Sequence, residues 1–559
     1  MYQHRMPSIS KNQALIIIYF LLICSACQDN GGKNINKNII SNLFTADVVD
    51  VKNVSNSITI FLGNNPFAFV FENDSIKNSA DLLKLYQNNK NEVLWLSGAG
   101  ANKNAEEFLK QVALLEEDGI NLQEFHLDKL KEWQSKIKAG HADDSIAWMY
   151  DLGMSIACLK ACDVMVHGQF DKNNYTQDWF NKNDTAFNAA NYLSNAIAKD
   201  SMAYLFGGLR PSMPEYSIFK TKLKELQAIE KNGGWGTVEG LKDSLENGLD
   251  NKSIASLRKR LFKEIGIPKD TTSTIMQDDL QTAINSFQYL HDLKLTGKLD
   301  TSTVKRLNTS VSIKIKHLKS NLERLRWIQK DLHQPYVWVN IPKMDLQYID
   351  KDSSQFKMRV VVGRTSRPTP TLNAIMSNVV INPGWSVPPT IMREEVVPGI
   401  GRRGGSYLSR RGLKAYYHGH EVNASRINAK NFKQFSIQQK PGLNSALGAV
   451  KFNMPNPHAI YLHDTPHRED FVKYYRAYSS GCIRVAKPRE FAEFVLADTN
   501  FSKPKIDTMV QKRITKEVPL KKNIEVHIVY LTNGLDSLGN VMYLRDIYGK
   551  DKAMEGIWK

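Results

Sequence analysis

The chain has 559 residues, of which 42% are hydrophobic, and a formal net charge of +17. That length implies about three domains, and the hydrophobic content is ample for folded cores. The charge fits nucleic acid, an anionic polymer or general solubility, and cannot decide among them alone.

Residues 1–13 carry His4, Arg5 and Lys11, and Ala14 to Ile23 is a run of ten apolar residues. A bilayer span needs about 20 residues, so this run has the length of a signal-peptide core. Cys24-Ser25-Ala26-Cys27 follows and resembles a bacterial lipobox. That resemblance implies Cys27 as the acylated first mature residue; a secretory signal cut elsewhere and an uncleaved anchor are the alternatives. Several acyl chains on one residue would anchor stably. Residues 28–49 are read as a tether, because 28–45 are polar and rich in Asn, Lys and Gly. No other stretch approaches eighteen apolar residues, so the remainder is expected to be soluble and periplasmic, with the membrane and leaflet undetermined. Export argues against nucleic acid as a partner and favours an anionic wall polymer or lipid surface.

Residues 50–250 read as a mainly helical scaffold. Phe108, Val112 and Leu115 fall on one side of a helix that Gly119 is placed to end. Phe219, Leu223, Leu226 and Ile229 repeat the pattern over 219–230. Cys158 and Cys162 lie at i,i+4 within the helix-like stretch 146–166 and read as small core residues, since a disulfide along one helical face needs distorted geometry. His126, His141 and His167 stand alone. Beyond the Cys24-Ser25-Ala26-Cys27 segment there is no CxxC and no Cys/His ligand spacing, and no metal site is expected. Setting aside Cys24 and a lipidated Cys27 leaves Cys158, Cys162 and Cys482, an odd count that flags one reactive thiol.

Residues 252–308 predict three short helices. Leu257, Leu261 and Ile265 precede Gly266; Leu280, Ile284 and Phe287 mark the second; Thr301 to Leu307 give the third. Phe287-Gln288 and the turn Leu295-Thr296-Gly297-Lys298-Leu299-Asp300 resemble the small peptidoglycan-binding domain, against the alternative of a plain helical bundle without a ligand. A helix over 311–330 leads to a catalytic domain expected over 311–548. Its strands are predicted at Tyr336–Asn340, Leu346–Ile349, Phe356–Val362, Val379–Asn382, Ala459–His463 and Val526–Leu531, all rich in β-branched and aromatic residues. Residues 391–448 interrupt that core with Gly399, Gly401, Gly404 and Gly405 and with Arg402, Arg403, Arg410, Arg411 and Lys414. They read as an inserted cap or lid, with a disordered surface loop as the alternative.

The chemistry concentrates in Tyr478-Ser479-Ser480-Gly481-Cys482-Ile483-Arg484, with His463-Asp464-Thr465 upstream. A small-residue turn leaves the sulfur approachable and frees amides for an oxyanion. The alternation Ile460-Tyr461-Leu462-His463 puts His463 on the face of Tyr461, where an imidazole beside the thiol is expected to form an ion pair. The N–H groups of Gly481 and Cys482 are the expected oxyanion donors. Arg484 is placed to anchor a substrate carboxylate or to tie down the turn. Pro488 suits the first turn of a following helix.

These two motifs resemble the signature of the L,D-transpeptidases. Val361-Val362-Gly363-Arg364, Thr369-Pro370-Thr371 and Asn382-Pro383-Gly384-Trp385-Ser386-Val387-Pro388-Pro389 are similar to that family's strands and loops. The resemblance implies a multidomain α+β fold: helical scaffold, peptidoglycan-binding module, and mainly β catalytic domain with a cap. It implies Cys482 as nucleophile, His463 as general base and acid, and Ser480, where many members carry a second histidine, as polar support of the oxyanion. Asp464 and Thr465 would hold the histidine segment, and Tyr478 and Trp385 would line the groove or belong to the core. The implied reaction joins a donor tetrapeptide stem to the amine of a second stem through a thioester, giving 3→3 cross-links in peptidoglycan, with carbapenem inactivation and no cofactor. Cell-wall synthesis proteins are possible partners. The rivals are an L,D-carboxypeptidase, attachment of a protein to peptidoglycan with the same site, and a non-catalytic wall-binding lipoprotein.

Overall fold

The computed structural model describes residues 50–64, 69–71, 74–76, 80–97, 100–171, 175, 187–238, 251–328, 332–499 and 501–558. The expectations for Cys27 and the 28–49 tether lie outside the described residues. Among those residues no helix is long and apolar enough to cross a membrane.

The N-terminal part is built from α1 (Val51–Asn64), α2 (Ala80–Asn88), α3 (Lys103–Ala113), α4 (Leu127–Lys138), α5 (Asp144–His167) and α6 (Ala189–Ala198). The Asn102 side chain caps α3 by accepting from Ala105 N–H, and Phe108 and Val112 are buried as their spacing requires. Gly119 stops the following turn at φ +75°. Helix α5 is apolar around most of its circumference, so it runs through the middle of this core. Cys158 and Cys162 are buried free thiols within it.

The next helix, α7 (Pro214–Lys231), departs from the expected division. Its Phe219, Leu223 and Leu226 pack into the core of the C-terminal domain rather than that of α1–α6. Its main partner is α11 (Val311–Arg326). Helix α11 joins the parts of the molecule. Its Arg326 donates to the Asp118 carbonyl at 2.9 Å and to Tyr216 at 3.0 Å. Its Glu323 accepts from Phe170 N–H at 2.9 Å.

Between them stands a three-helix module: α8 (Lys252–Ile265), α9 (Asp278–Leu290) and α10 (Thr301–Leu307). Gln288 explains the turn motif. Its amide donates to Thr296, Lys298 and Thr303 and accepts from the N–H groups of Thr296 and Gly297, all at 2.8–3.0 Å. The module is locked to α11 by a buried ionic cluster. Glu264 meets Lys314 of α11, His291 at 2.8 Å and Arg260 at 2.6 Å. His291 stacks on Tyr543 of the C-terminal domain with ring centroids 4.9 Å apart. Burial, then the Lys314 charge, push His291 down to about 3, and burial pushes Lys314 down to about 7.

The C-terminal domain is a nine-stranded sheet. Its strands are β1 (Tyr336–Asn340), β2 (Asp345–Asp350), β3 (Ser353–Gly363), β4 (Leu372–Ile381), β9 (Val450–Asn453), β10 (Leu462–His463), β11 (Ala477–Ser479), β12 (Ile483–Val485) and β13 (Lys516–Val529). The order is β11-β3-β12-β10-β9-β4-β13-β1-β2, and β2 also pairs with β3, so the sheet closes on itself around the core. Helix α12 (Pro488–Val495) starts on Pro488. The unit runs past residue 548: α13 (Lys550–Glu555) packs on α11 through Arg324–Asp551 at 2.5 Å, and Trp558 donates to Ser320 at 2.7 Å.

The insert is a folded cap rather than a loose loop. Strands β5 (Trp385–Ser386), β6 (Leu413–Tyr417), β7 (His420–Val422) and β8 (Ser436–Gln439) form a separate sheet in the order β7-β6-β8-β5. Val396, Ile400, Tyr407, Leu413 and Ile437 give it a core of its own. It begins at Trp385, earlier than the expected 391, because β5 supplies the edge that pairs with Gln438 and Gln439.

Candidate active site

The two motifs meet on adjacent parallel strands. Register pairs Leu462 with Ile483 and His463 with Arg484, and Ile483 N–H donates to the Tyr461 carbonyl at 3.1 Å. Side chains alternate along each strand, so Tyr461, His463, Cys482 and Arg484 share one face. Cys482 is half-buried and His463 is 6% exposed.

The imidazole is oriented by backbone. His463 Nδ1 donates to the Asp464 carbonyl, which leaves Nε2 with its lone pair. Burial first, then the positive fields of Arg484 and Lys451, push His463 down to about 3. It is therefore a neutral base at ordinary pH. Burial raises the Cys482 thiol, opposed by hydrogen bonds from Tyr461 and by the charges of Lys451 and Arg484. Burial thus disfavours the charged form of both groups, against the ion pair expected from the sequence.

Tyr461 is the residue that sequence reasoning passed over. The Cys482 thiol donates to the Ala459 carbonyl at 3.8 Å, and Tyr461 beside it favours the thiolate, while Trp385 acts on the Tyr461 hydroxyl in the same sense. Its ring carries the Lys451 ammonium at 4.4 Å and meets the His463 ring edge-on at 5.5 Å. The strand alternation held the signal, since it put Tyr461 on the catalytic face. Trp385, on the first strand of the cap, acts on the Tyr461 hydroxyl. Tyr478 is 41% exposed, with its ring against Tyr475 at 5.9 Å.

The Cys482 turn differs from expectation at one of its two amides. Gly481 sits at φ +113°, a conformation only glycine adopts readily, but its N–H donates to Ser479 Oγ at 3.2 Å. The Ser479 hydroxyl in turn donates to the Cys482 carbonyl at 2.5 Å. The Gly481 amide is therefore occupied, and of the two expected oxyanion donors the Cys482 N–H is the one without a protein partner among the described residues. Ser480 is exposed, and its hydroxyl accepts from Arg367 Nη1 at 3.0 Å. The same guanidinium pairs with Glu395 at 2.8 Å, tying the turn to the cap. Arg484 is held by Asp470 at 3.1 Å, which fits the tying role rather than a free carboxylate anchor.

Asp464 and Thr465 hold the histidine segment. Asp464 accepts from Ala449 N–H at 2.8 Å, Thr465 N–H at 2.7 Å and Arg468 at 3.0 Å. Gly448, at φ +58°, leaves room for that carboxylate: a Cβ there would stand 2.5 Å from it. Among the described residues no group of three or more His, Cys, Asp or Glu is placed to hold a metal ion.

Residues 334–511 match the YkuD family, described as the L,D-transpeptidase catalytic domain, and residues 80–223 match a family described as a scaffold domain. A protein of Haemophilus influenzae named as a putative L,D-transpeptidase is 35% identical over 241 residues, which is 42% of this chain and 48% of that protein. The chain thus spans about half the length of this curated relative. An L,D-transpeptidase of Stackebrandtia nassauensis is 12% identical, with 52% of this chain and 96% of that one covered and a TM-score of 0.20. One from Xylanimonas cellulosilytica is 10% identical, with 52% and 100% covered and a TM-score of 0.15.

Proposed function

We propose, from the premise that this chain belongs to the L,D-transpeptidase family, that it is a cysteine acyltransferase forming 3→3 cross-links in peptidoglycan. The single observation that carries the reading is the shared face of Cys482 and a neutral, backbone-oriented His463. In the first step Nε2 of His463 takes the thiol proton as sulfur bonds to the carbonyl carbon of the third residue of a donor tetrapeptide stem. The Cys482 N–H and the Tyr461 hydroxyl face the developing oxyanion, and Lys451 and Arg484 add positive field. The C–N bond breaks, and His463 returns the proton to the leaving D-Ala amine, giving a thioester. In the second step the side-chain amine of another stem attacks that thioester, His463 accepts its proton, and the thiol is restored.

With water as acceptor the same site would act as an L,D-carboxypeptidase; with a protein lysine it would attach that protein to the wall. The cap, tied to the Cys482 turn through Arg367 and Glu395, favours a shaped acceptor groove over open access to water. Acylation of Cys27 would tether the enzyme to a membrane facing the periplasm, and Cys482 would be acylated by carbapenems. The test is incubation of the purified chain with disaccharide tetrapeptide followed by chromatography and mass analysis. Cross-linked dimers with loss of D-Ala are expected, and free tripeptide alone would replace this reading with the hydrolase.

A further inference from the structure

A cleft of about 240 Å³ opens where the three-helix module meets the nine-stranded sheet, with residues 472–476 in its wall. Three guanidiniums and two ammoniums line it, Arg359, Arg476, Arg545, Lys343 and Lys473, against the single carboxylate of Asp292. The ammoniums are partly neutralised, Lys473 by Asp470 at 2.7 Å and Lys343 by Asp345 at 3.6 Å. Arg476 lies in the fields of Asp292 and Asp345, whereas Arg359 and Arg545 are exposed. Arg476 donates to the carbonyls of Val360, Lys473, Tyr474 and Met344, and Arg359 to that of Phe471, so both are fixed in place with their charge intact. Arg545 is exposed and rests over the Tyr475 ring at 5.5 Å. Arg306 of α10 lies behind, close enough to Arg545 for the two to repel. Asp292 is drawn toward the other wall by the Tyr474 hydroxyl at 2.9 Å.

The wall of this cleft leads to the nucleophile. Residues 472–476 run directly into β11 and the Ser479–Cys482 turn. Along them Val472 is 79% exposed, Tyr474 45% and Tyr478 41%. Fixed cations opening onto exposed aromatic rings match a ligand with carboxylates on a sugar-bearing, partly apolar frame.

We propose that this cleft is an anion-binding subsite that holds the free carboxylates of a peptidoglycan strand beside the catalytic turn. The proposal rests on the transpeptidase reading for the identity of the strand, and on the cleft alone for its charge. Arg359, steadied through one carbonyl, and the exposed Arg545 keep N–H groups for carboxylate oxygens, while Arg476, its N–H groups spent on four carbonyls, adds positive field. Because the wall and the turn are one segment, a bound strand would also be set in register with Cys482.

The test is co-sedimentation of the whole chain, in a Cys482→Ala background to prevent turnover, with purified sacculi. Arg545→Glu should weaken binding by roughly fivefold or more and Arg545→Gln by less, with unchanged melting temperatures. Sacculi whose carboxylates have been amidated should bind the unsubstituted cleft as weakly, while inorganic phosphate at equal ionic strength should compete no better than chloride. Acylation by meropenem, measured with Cys482 intact, should proceed at the same rate in the Arg545→Glu variant as in the unsubstituted chain. Equal sedimentation of Arg545→Glu, indifference to amidation, or specific displacement by phosphate would each overturn the proposal. Absence of acylation in every form would instead contradict the transpeptidase reading, and the sedimentation result would still decide the cleft.

Discussion

Replacing Tyr461 by Phe removes one hydroxyl and little else. The Lys451 ammonium 4.4 Å from the ring and the His463 edge 5.5 Å away depend on the ring, which Phe keeps. What disappears is the hydroxyl that favours the Cys482 thiolate. A hydrogen bond to a charged group contributes about 1.5–3 kcal/mol, and loss of one oxyanion donor costs about 2.7–4 kcal/mol. A cost of about 2–3 kcal/mol satisfies both ranges in part and corresponds to acylation slowed roughly 30- to 160-fold. The assay is single-turnover acylation by a carbapenem, followed by intact mass at pH 7, with thermal melting as the control for folding. A rate within about threefold of the native one, at equal melting temperature, would refute the assignment of Tyr461 as a donor to the reacting atoms.

Acid should act on stability before it acts on the base. His463 and His291 are both held near 3, while an unfolded histidine protonates near 6.5, so the unfolded chain binds more protons below that pH. Stability is full above about pH 6.5 and falls as pH drops toward 3, which denaturant midpoints at pH 7, 6 and 5 will show; an unchanged midpoint would contradict it. Over the same range the acylation rate should show no histidine limb near 6.5, since His463 is already deprotonated. Glu264→Gln leaves Lys314 and Arg260 buried without their counter-charge and should cost about 3–5 kcal/mol, read as earlier chemical unfolding and faster proteolysis of the three-helix module. Gly448→Ala forces a Cβ to within 2.5 Å of the Asp464 carboxylate at positive φ and should cost on the order of 2–3 kcal/mol, with slower acylation because the His463 segment shifts; native melting and native rate would contradict it.

Much of this was legible in the chain. Gly119 and Gly266 end helices as their positions imply, and Gln288 fills the turn that its motif announces. The pairing of the Cys482 and His463 segments was legible from a thiol in a Ser/Gly turn and a histidine on an alternating segment, and the register sets those two segments side by side. Three features depended on distant partners and were not legible. The cap's sheet joins Trp385 to Gln439 across the whole insert, so no local pattern marks it as folded. Helix α7 reads like its scaffold neighbours, and its partner α11 lies beyond the three-helix module. The neutral state of His463 follows from burial and from the charges of Arg484 and Lys451, and the place of Lys451 over the Tyr461 ring is set by sheet packing. The Gly481 amide was misjudged for a smaller reason: a serine two residues earlier folds back to take it.

The central claim is a thioester on one sulfur. Intact mass spectrometry of the chain quenched during reaction with disaccharide tetrapeptide tests it directly. The account predicts an adduct equal to the donor less D-Ala, mapped to Cys482, absent in Cys482→Ala and slow to form in His463→Ala. An adduct on another residue, or product formed by Cys482→Ala at the native rate, would contradict it.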